Sequence, residues 1–158
     1  MILDKEKIQE NFEEFMFYID DTLDAIKQKA SKQGYHLDMS IESLKDLAQF
    51  VRENDVKNDP ENIDYFFNSW VYLGEVFRLQ AKGAYWTVGT ENPKILNYGL
   101  EYLTGYNTIG SEFIPLLIMN NFTLSSPDKL NNSFFYELVL KRLNPKPKNL
   151  DDLPPEED

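Results

Sequence analysis

From residue 4 to residue 33 apolar side chains return at every third or fourth position: Ile8, Phe12, Phe15, Ile19, Leu23 and Ile26. That spacing predicts one long amphipathic helix with a single apolar stripe. Glu10, Glu13, Glu14, Asp20, Asp21 and Asp24 occupy its other faces. Lys27, Lys29 and Lys32 gather at its C-terminal end, where cations suit the helix dipole, and Gly34 stops it. Phe17 and Tyr18 fall off the stripe, which suggests burial on a second side.

The pattern then breaks at a connector, 35–40. Ser40 is a good N-cap for a second helix over 41–53, whose apolar face is Ile41, Leu44, Leu47, Ala48 and Val51. Asp59-Pro60 carries the cap-and-proline signature of a third helix running to about Lys82. Its middle, Tyr65 to Phe77, is apolar almost all round, so it should be the central buried helix. Gly74 lies inside it. Glycine costs a helix about 1 kcal/mol relative to alanine, and close approach of another backbone would compensate.

Beyond Gly83 the period changes. Ala84 to Val88 is rich in strand formers, Gly89 to Pro93 is turn material, and Ile95 to Tyr98 reads as an antiparallel partner strand. Leu100 to Ile109 fits either a third strand or an ordered loop. Ser111 to Asn121 reads as a short apolar helix with Pro115 in its first turn. Ser133 to Leu143 reads as a last helix with Phe134, Leu138 and Val139 inward. The fold class expected is mostly helical α+β, with about five helices and a small antiparallel sheet. Residues 1–144 should form one globular domain. Residues 145–158, rich in proline and acid, should be a disordered tail.

Composition narrows the chemistry. The 158 residues are 42% hydrophobic and 14% aromatic, too apolar for a disordered chain and sufficient for an aromatic-rich core. No cysteine is present, which removes disulfides, thiolate nucleophiles and cysteine-ligated zinc. No apolar run approaches the ~20 residues that span a bilayer. Met1 to Glu6 lacks the basic and apolar regions of a signal peptide, so a cytoplasmic protein without membrane contact is expected. The net charge of −11 opposes binding to phosphate backbones, so nucleic acid is not an expected partner. Such a charge serves solubility in the first place. The sharper reading is a surface complementary to a basic protein, or one that mimics nucleic acid.

Candidate chemistry is sparse. Glu75 sits inside the apolar third helix, Arg78 follows at i+3, and Tyr85 and Trp86 stand on the next strand. A lone buried carboxylate costs several kcal/mol, so Glu75 must find a partner. The plain reading is a lock between helix and sheet. The functional one is a binding or catalytic pocket around Glu75, Arg78, Tyr85 and Trp86. No spacing selects a second catalytic carboxylate; Glu91, Glu101 and Glu112 qualify only by default. The single histidine, His36, lies in a connector and reads as structural. Asp55, Asp59, Glu61 and Asp64 lack the glycine and order of a calcium loop. Gly99, Gly105 and Gly110 match no nucleotide-binding spacing. No cofactor or metal is expected. Tyr102 and Tyr106 serve packing first and interface anchoring second. Phe17, Tyr18 and the tyrosine loops offer a homodimer face as a third reading.

Tyr35-His36-Leu37-Asp38-Met39-Ser40-Ile41-Glu42-Ser43-Leu44, the Tyr72-Leu73-Gly74-Glu75-Val76 helix and Gly83-Ala84-Tyr85-Trp86 together resemble small uncharacterised bacterial α+β domains. These domains include suspected immunity-type proteins encoded near toxins. The resemblance covers roughly 35–100. It implies a bacterial cytosolic protein and assigns no catalytic residue. The function expected is a non-enzymatic interaction domain. It would bind a basic protein through Glu10, Glu13, Glu14, Asp20, Asp21, Asp24, Tyr102 and Tyr106. A small-molecule site around Glu75 is the alternative.

Overall fold

The computed structural model describes residues 4–144, so the expected tail at 145–158 lies outside the described residues. Five helices and two strands follow in the order α1 (Lys5–Lys32), α2 (Ser43–Glu53), α3 (Ile63–Gln80), β1 (Tyr85–Val88), β2 (Glu101–Thr104), α4 (Pro115–Leu124) and α5 (Phe134–Leu143). This is the mostly helical α+β fold that the pattern predicts.

α1 starts where Asp4 accepts the Lys7 N–H at 2.8 Å, an N-cap placed ahead of the first apolar residue. It stops at Gly34, whose φ of +88° an L-residue adopts only with strain. The Tyr35 N–H reaches back to the Ala30 carbonyl at 2.9 Å and the Tyr35 ring is buried. Between these ends Ile8, Phe15, Leu23, Ile26 and Ala30 face the core. Phe17 and Tyr18 do not: they are 78% and 50% exposed. The expected second buried side of α1 is therefore corrected to a solvent face.

α3 is the centre of the molecule. Every residue from Ser69 to Phe77 is buried, and the helix touches α1, α2, α4, α5 and β2. Its aromatic residues build the core: Phe15 stacks on Trp70 at 5.8 Å, and Phe77 stacks on Phe113 at 4.0 Å between centroids. Gly74 is required by side chains, not by a neighbouring backbone. A Cβ there would fall 2.6 Å from Cζ2 of Trp86 and 2.9 Å from Cγ of Pro115.

Two helix starts lie later than the capping residues suggested. Ser40 Oγ accepts the Ser43 N–H at 3.2 Å, but the turn it caps carries i to i+3 bonds and α2 begins at Ser43. Asp59 likewise accepts the Asn62 N–H at 3.0 Å and caps the turn that precedes α3. In α5 the inward residues are Phe135 and Val139, with Phe134 and Leu138 only half-buried. The expected frame was one residue off at Phe134.

The hairpin also differs from expectation. Ile95–Tyr98 is not a strand. Turns close there, with the Ile95 N–H on the Asn92 carbonyl and the Tyr98 N–H on that of Ile95, and Ile95 and Leu96 are exposed. The partner of β1 is β2, antiparallel, with Trp86 opposite Leu103 and Val88 opposite Glu101. Leu103 and Phe113 exchange two 2.8 Å backbone bonds on the free edge. Side chains alternate along the pair: Trp86, Val88 and Leu103 turn to the helices, whereas Tyr85 is on the outer face.

Candidate functional site

Glu75 is 5% exposed and its carboxylate is fully engaged. Oε2 accepts from Nε of Arg78 at 2.6 Å and from Nε1 of Trp86 at 2.7 Å, and Oε1 accepts from Nη2 of Arg78 at 3.0 Å. The i to i+3 spacing on α3 places the guanidinium beside the acid. The strand turn at Gly83 swings Trp86 over Gly74, so the indole N–H points down at the same oxygen. The hydrogen bond from Arg78 to Glu75 holds the guanidinium above its ordinary pKa, with the Asp20 carboxylate adding to it.

These groups line an open groove of about 280 Å³ between α1, α3 and β1, together with Met16, Ile19, Asp20, Ala84 and Tyr85. The four residues singled out in the sequence, Glu75, Arg78, Tyr85 and Trp86, do meet here. Asp20 joins them from α1, which spacing along the chain could not reveal. The donors on Glu75 are side chains, and the triad ties α3 to β1. Its chemistry is that of a closed charge-assisted network, since the acid has no free oxygen.

The second candidate surface is the outer face of α1. Glu10, Glu13, Glu14, Asp20, Asp21 and Asp24 are all exposed. Glu6, Glu10, Glu13, Phe17, Asp21 and Asp24 recur at three or four residues, so they form one stripe with Phe17 in its middle. The Phe17 ring meets Tyr18 edge to face at 4.8 Å. Among the described residues the ion pairs are Lys5–Glu91, Lys57–Asp55 and Arg78–Glu75, and none involves an acid of this stripe. Like charges at i, i+4, as at Glu6 and Glu10, are mildly destabilising.

The two tyrosines expected on this surface lie apart from it and from each other. Tyr102 is half-buried on β2 and shares a cavity of about 430 Å³ with Gln9 and the turn at 89–92. Tyr106 packs edge-on against Phe77 at 4.8 Å, and burial raises the pKa of its phenol. Neither belongs to the α1 stripe. His36 is exposed, and its backbone N–H is held by Asp46 at 2.8 Å. Among the described residues no group of three or more histidines and carboxylates is placed to hold a metal ion, and no helix is long and apolar enough to cross a membrane.

Sequence reasoning offered Phe17 for a second buried side or a homodimer face and did not place it at the centre of the acidic stripe, although its position off the apolar stripe was the available signal. It offered Glu101 only as a default second carboxylate, because 100–109 fits a strand or a loop equally well in the sequence and the partner of β1 is expected at 95–98. Comparison with known proteins finds no matching family model, no matching curated protein and no matching solved structure.

Proposed function

We propose that this protein is a non-enzymatic interaction domain whose α1 outer face docks a basic protein partner. The observation behind the reading is Phe17, 78% exposed and set among carboxylates that form no ion pair with any described residue. A large exposed ring at the centre of a stripe of like charge departs from the purely polar outer face that an amphipathic helix usually turns to solvent. It matches what an interface needs: an aromatic anchor at the centre and charge at the rim to steer encounter. On this reading the protein is cytoplasmic and works by occlusion. A toxin blocked by an immunity-type protein would be a partner of the right kind. A ligand-binding role for the Glu75 groove has less behind it, because both carboxylate oxygens are already occupied by Arg78 and Trp86.

The test is affinity capture from the native host lysate at about 0.15 M salt, where exposed charges are screened beyond ~8 Å. The wild-type chain is compared with the quadruple variant Glu10→Lys, Glu13→Lys, Asp21→Lys, Asp24→Lys. A basic protein held stoichiometrically by the wild type and released by the variant supports docking. Retention of the same protein by both, or of none by either, sinks it.

A further inference from the structure

β2 carries an acid where the fold asks for an apolar side chain. Leu103 is buried against the helices, and Glu101, two residues earlier, shares its inward face and pairs with the buried Val88. Among the described residues no cation and no side-chain donor reaches the Glu101 carboxylate; its own backbone amide is the hydrogen-bond donor it has. Burial pushes its pKa up. A half-buried carboxylate left in this state weakens the fold.

A cavity of about 300 Å³ opens at this carboxylate between α1, α3 and β2. Its floor is aromatic: Phe15 and Phe67 meet edge to face at 6.1 Å, and Phe15 is backed by Trp70. Tyr18 and Glu14 stand on the α1 side, with Asn11 one turn earlier. Two carboxylates on one cavity attract a positive charge, and the aromatic side chains between them offer an apolar bed to the group that carries it. A bare metal ion would find two carboxylates there, and among the described residues no group of three or more histidines and carboxylates is placed to hold one. A cation on an aliphatic stem fits better, because the stem buries against the phenyl rings while the head reaches the acids. The cavity is also continuous with the acidic face, because Tyr18, its wall, packs against Phe17.

We infer that this cavity receives a lysine or arginine side chain presented by the partner that docks on α1. For the source of that side chain the inference rests on the docking reading above; for the cation site itself it stands on Glu101 and the aromatic floor. Glu101 would then be kept inward, at a cost to the free fold, because the incoming cation compensates it in the complex.

The experiment is an NMR titration of the isotope-labelled full chain with Nα-acetyl-arginine methylamide, its lysine counterpart and the neutral citrulline counterpart. The expected result is saturable shifts around Asn11, Phe15, Tyr18, Phe67 and Glu101 for a cationic probe and none for citrulline. Affinity should drop about tenfold in Glu101→Gln. This variant relieves a buried charge and so retains the fold, which circular dichroism verifies. Absence of saturation, equal binding of citrulline, or undiminished affinity in Glu101→Gln overturns the site. Phe17→Ser changes neither a cavity residue nor any charge, so it should keep probe binding while losing partner capture. Probe binding that depends on Glu101, with no partner captured by the wild type, would leave the cation site standing and refute a docked protein as its source.

Discussion

Glu75 shows how one residue can look functional and be structural. Removing its charge leaves the Arg78 guanidinium and the Trp86 N–H competing for one amide oxygen. Glu75→Gln should lower stability by about 2–3 kcal/mol, read as a shift of the urea midpoint at unchanged slope. Gly74→Ala raises helix propensity yet should destabilise by roughly 1–3 kcal/mol, because the new methyl enters the space of the Trp86 and Pro115 rings. Glu101 runs the other way. Burial raises its pKa, so its neutral form is favoured in the fold; the stability tied to that form is present in acid and lost as pH rises through the folded pKa. Glu101→Gln should therefore raise the melting temperature at pH 7, and the gain should shrink as pH falls below the ordinary carboxyl range. The Glu75–Arg78 pairing was legible from i, i+3 spacing, and the need for a partner followed from burial. The inward direction of Glu101 was not legible, because a one-strand displacement hides which residues alternate inward.

At the level of elements, two polar clasps join segments that periodicity treats separately. Tyr72 of α3 is fully buried, and its hydroxyl accepts the Met39 N–H at 2.9 Å and bonds Ser43 Oγ at 2.6 Å. Met39 has a φ of +69°, and this bond helps fix that left-handed turn between α1 and α2. Burial lifts the Tyr72 phenol from 10.0 to about 12. The neutral phenol is favoured in the fold, so its contribution is complete below pH 10 and lost as pH rises toward 12. Tyr72→Phe should remove this share of the alkaline transition. It should also cost about 1–3 kcal/mol at neutral pH, where Ser43 and Met39 lose their partner. Arg52 of α2 donates to the Ser125 carbonyl at 2.7 Å and the Leu130 carbonyl at 2.8 Å while lying over the Phe122 ring at 3.9 Å. The planar fork spans both carbonyls, which a lysine cannot do. The helices themselves were legible because 3.6-residue periodicity is a local property. These clasps join residues 29 or more positions apart, and nothing local announces them. The second strand was misplaced for a related reason. Ile95 and Leu96 are apolar enough to read as strand, but the pairing partner of β1 is chosen by the inward Leu103 and its bonds to Phe113.

For the whole molecule the central feature is an asymmetry. Apolar mass collects around α3, while the outer face of α1 keeps its acids and one phenylalanine in water. Docking through that face predicts a division of labour between its parts. Raising ionic strength should slow association with the partner, because the carboxylates steer encounter. Phe17→Ser should instead speed dissociation, leave the association rate nearly constant and change folding stability by less than about 0.5 kcal/mol, as suits an exposed side chain. Stopped-flow association and chase kinetics separate the two. The charge of α1 was legible in the sequence, and so was the place of Phe17 off the apolar stripe; whether a second element covers that ring was not, because the packing of α1 on α3 decides it. The most direct measurement is amide hydrogen exchange of the chain free and bound to the captured basic protein. Docking through the outer face of α1 should slow exchange chiefly in α1 from Glu10 to Asp24. Slowing concentrated at α4 and α5, with α1 unchanged, would contradict it.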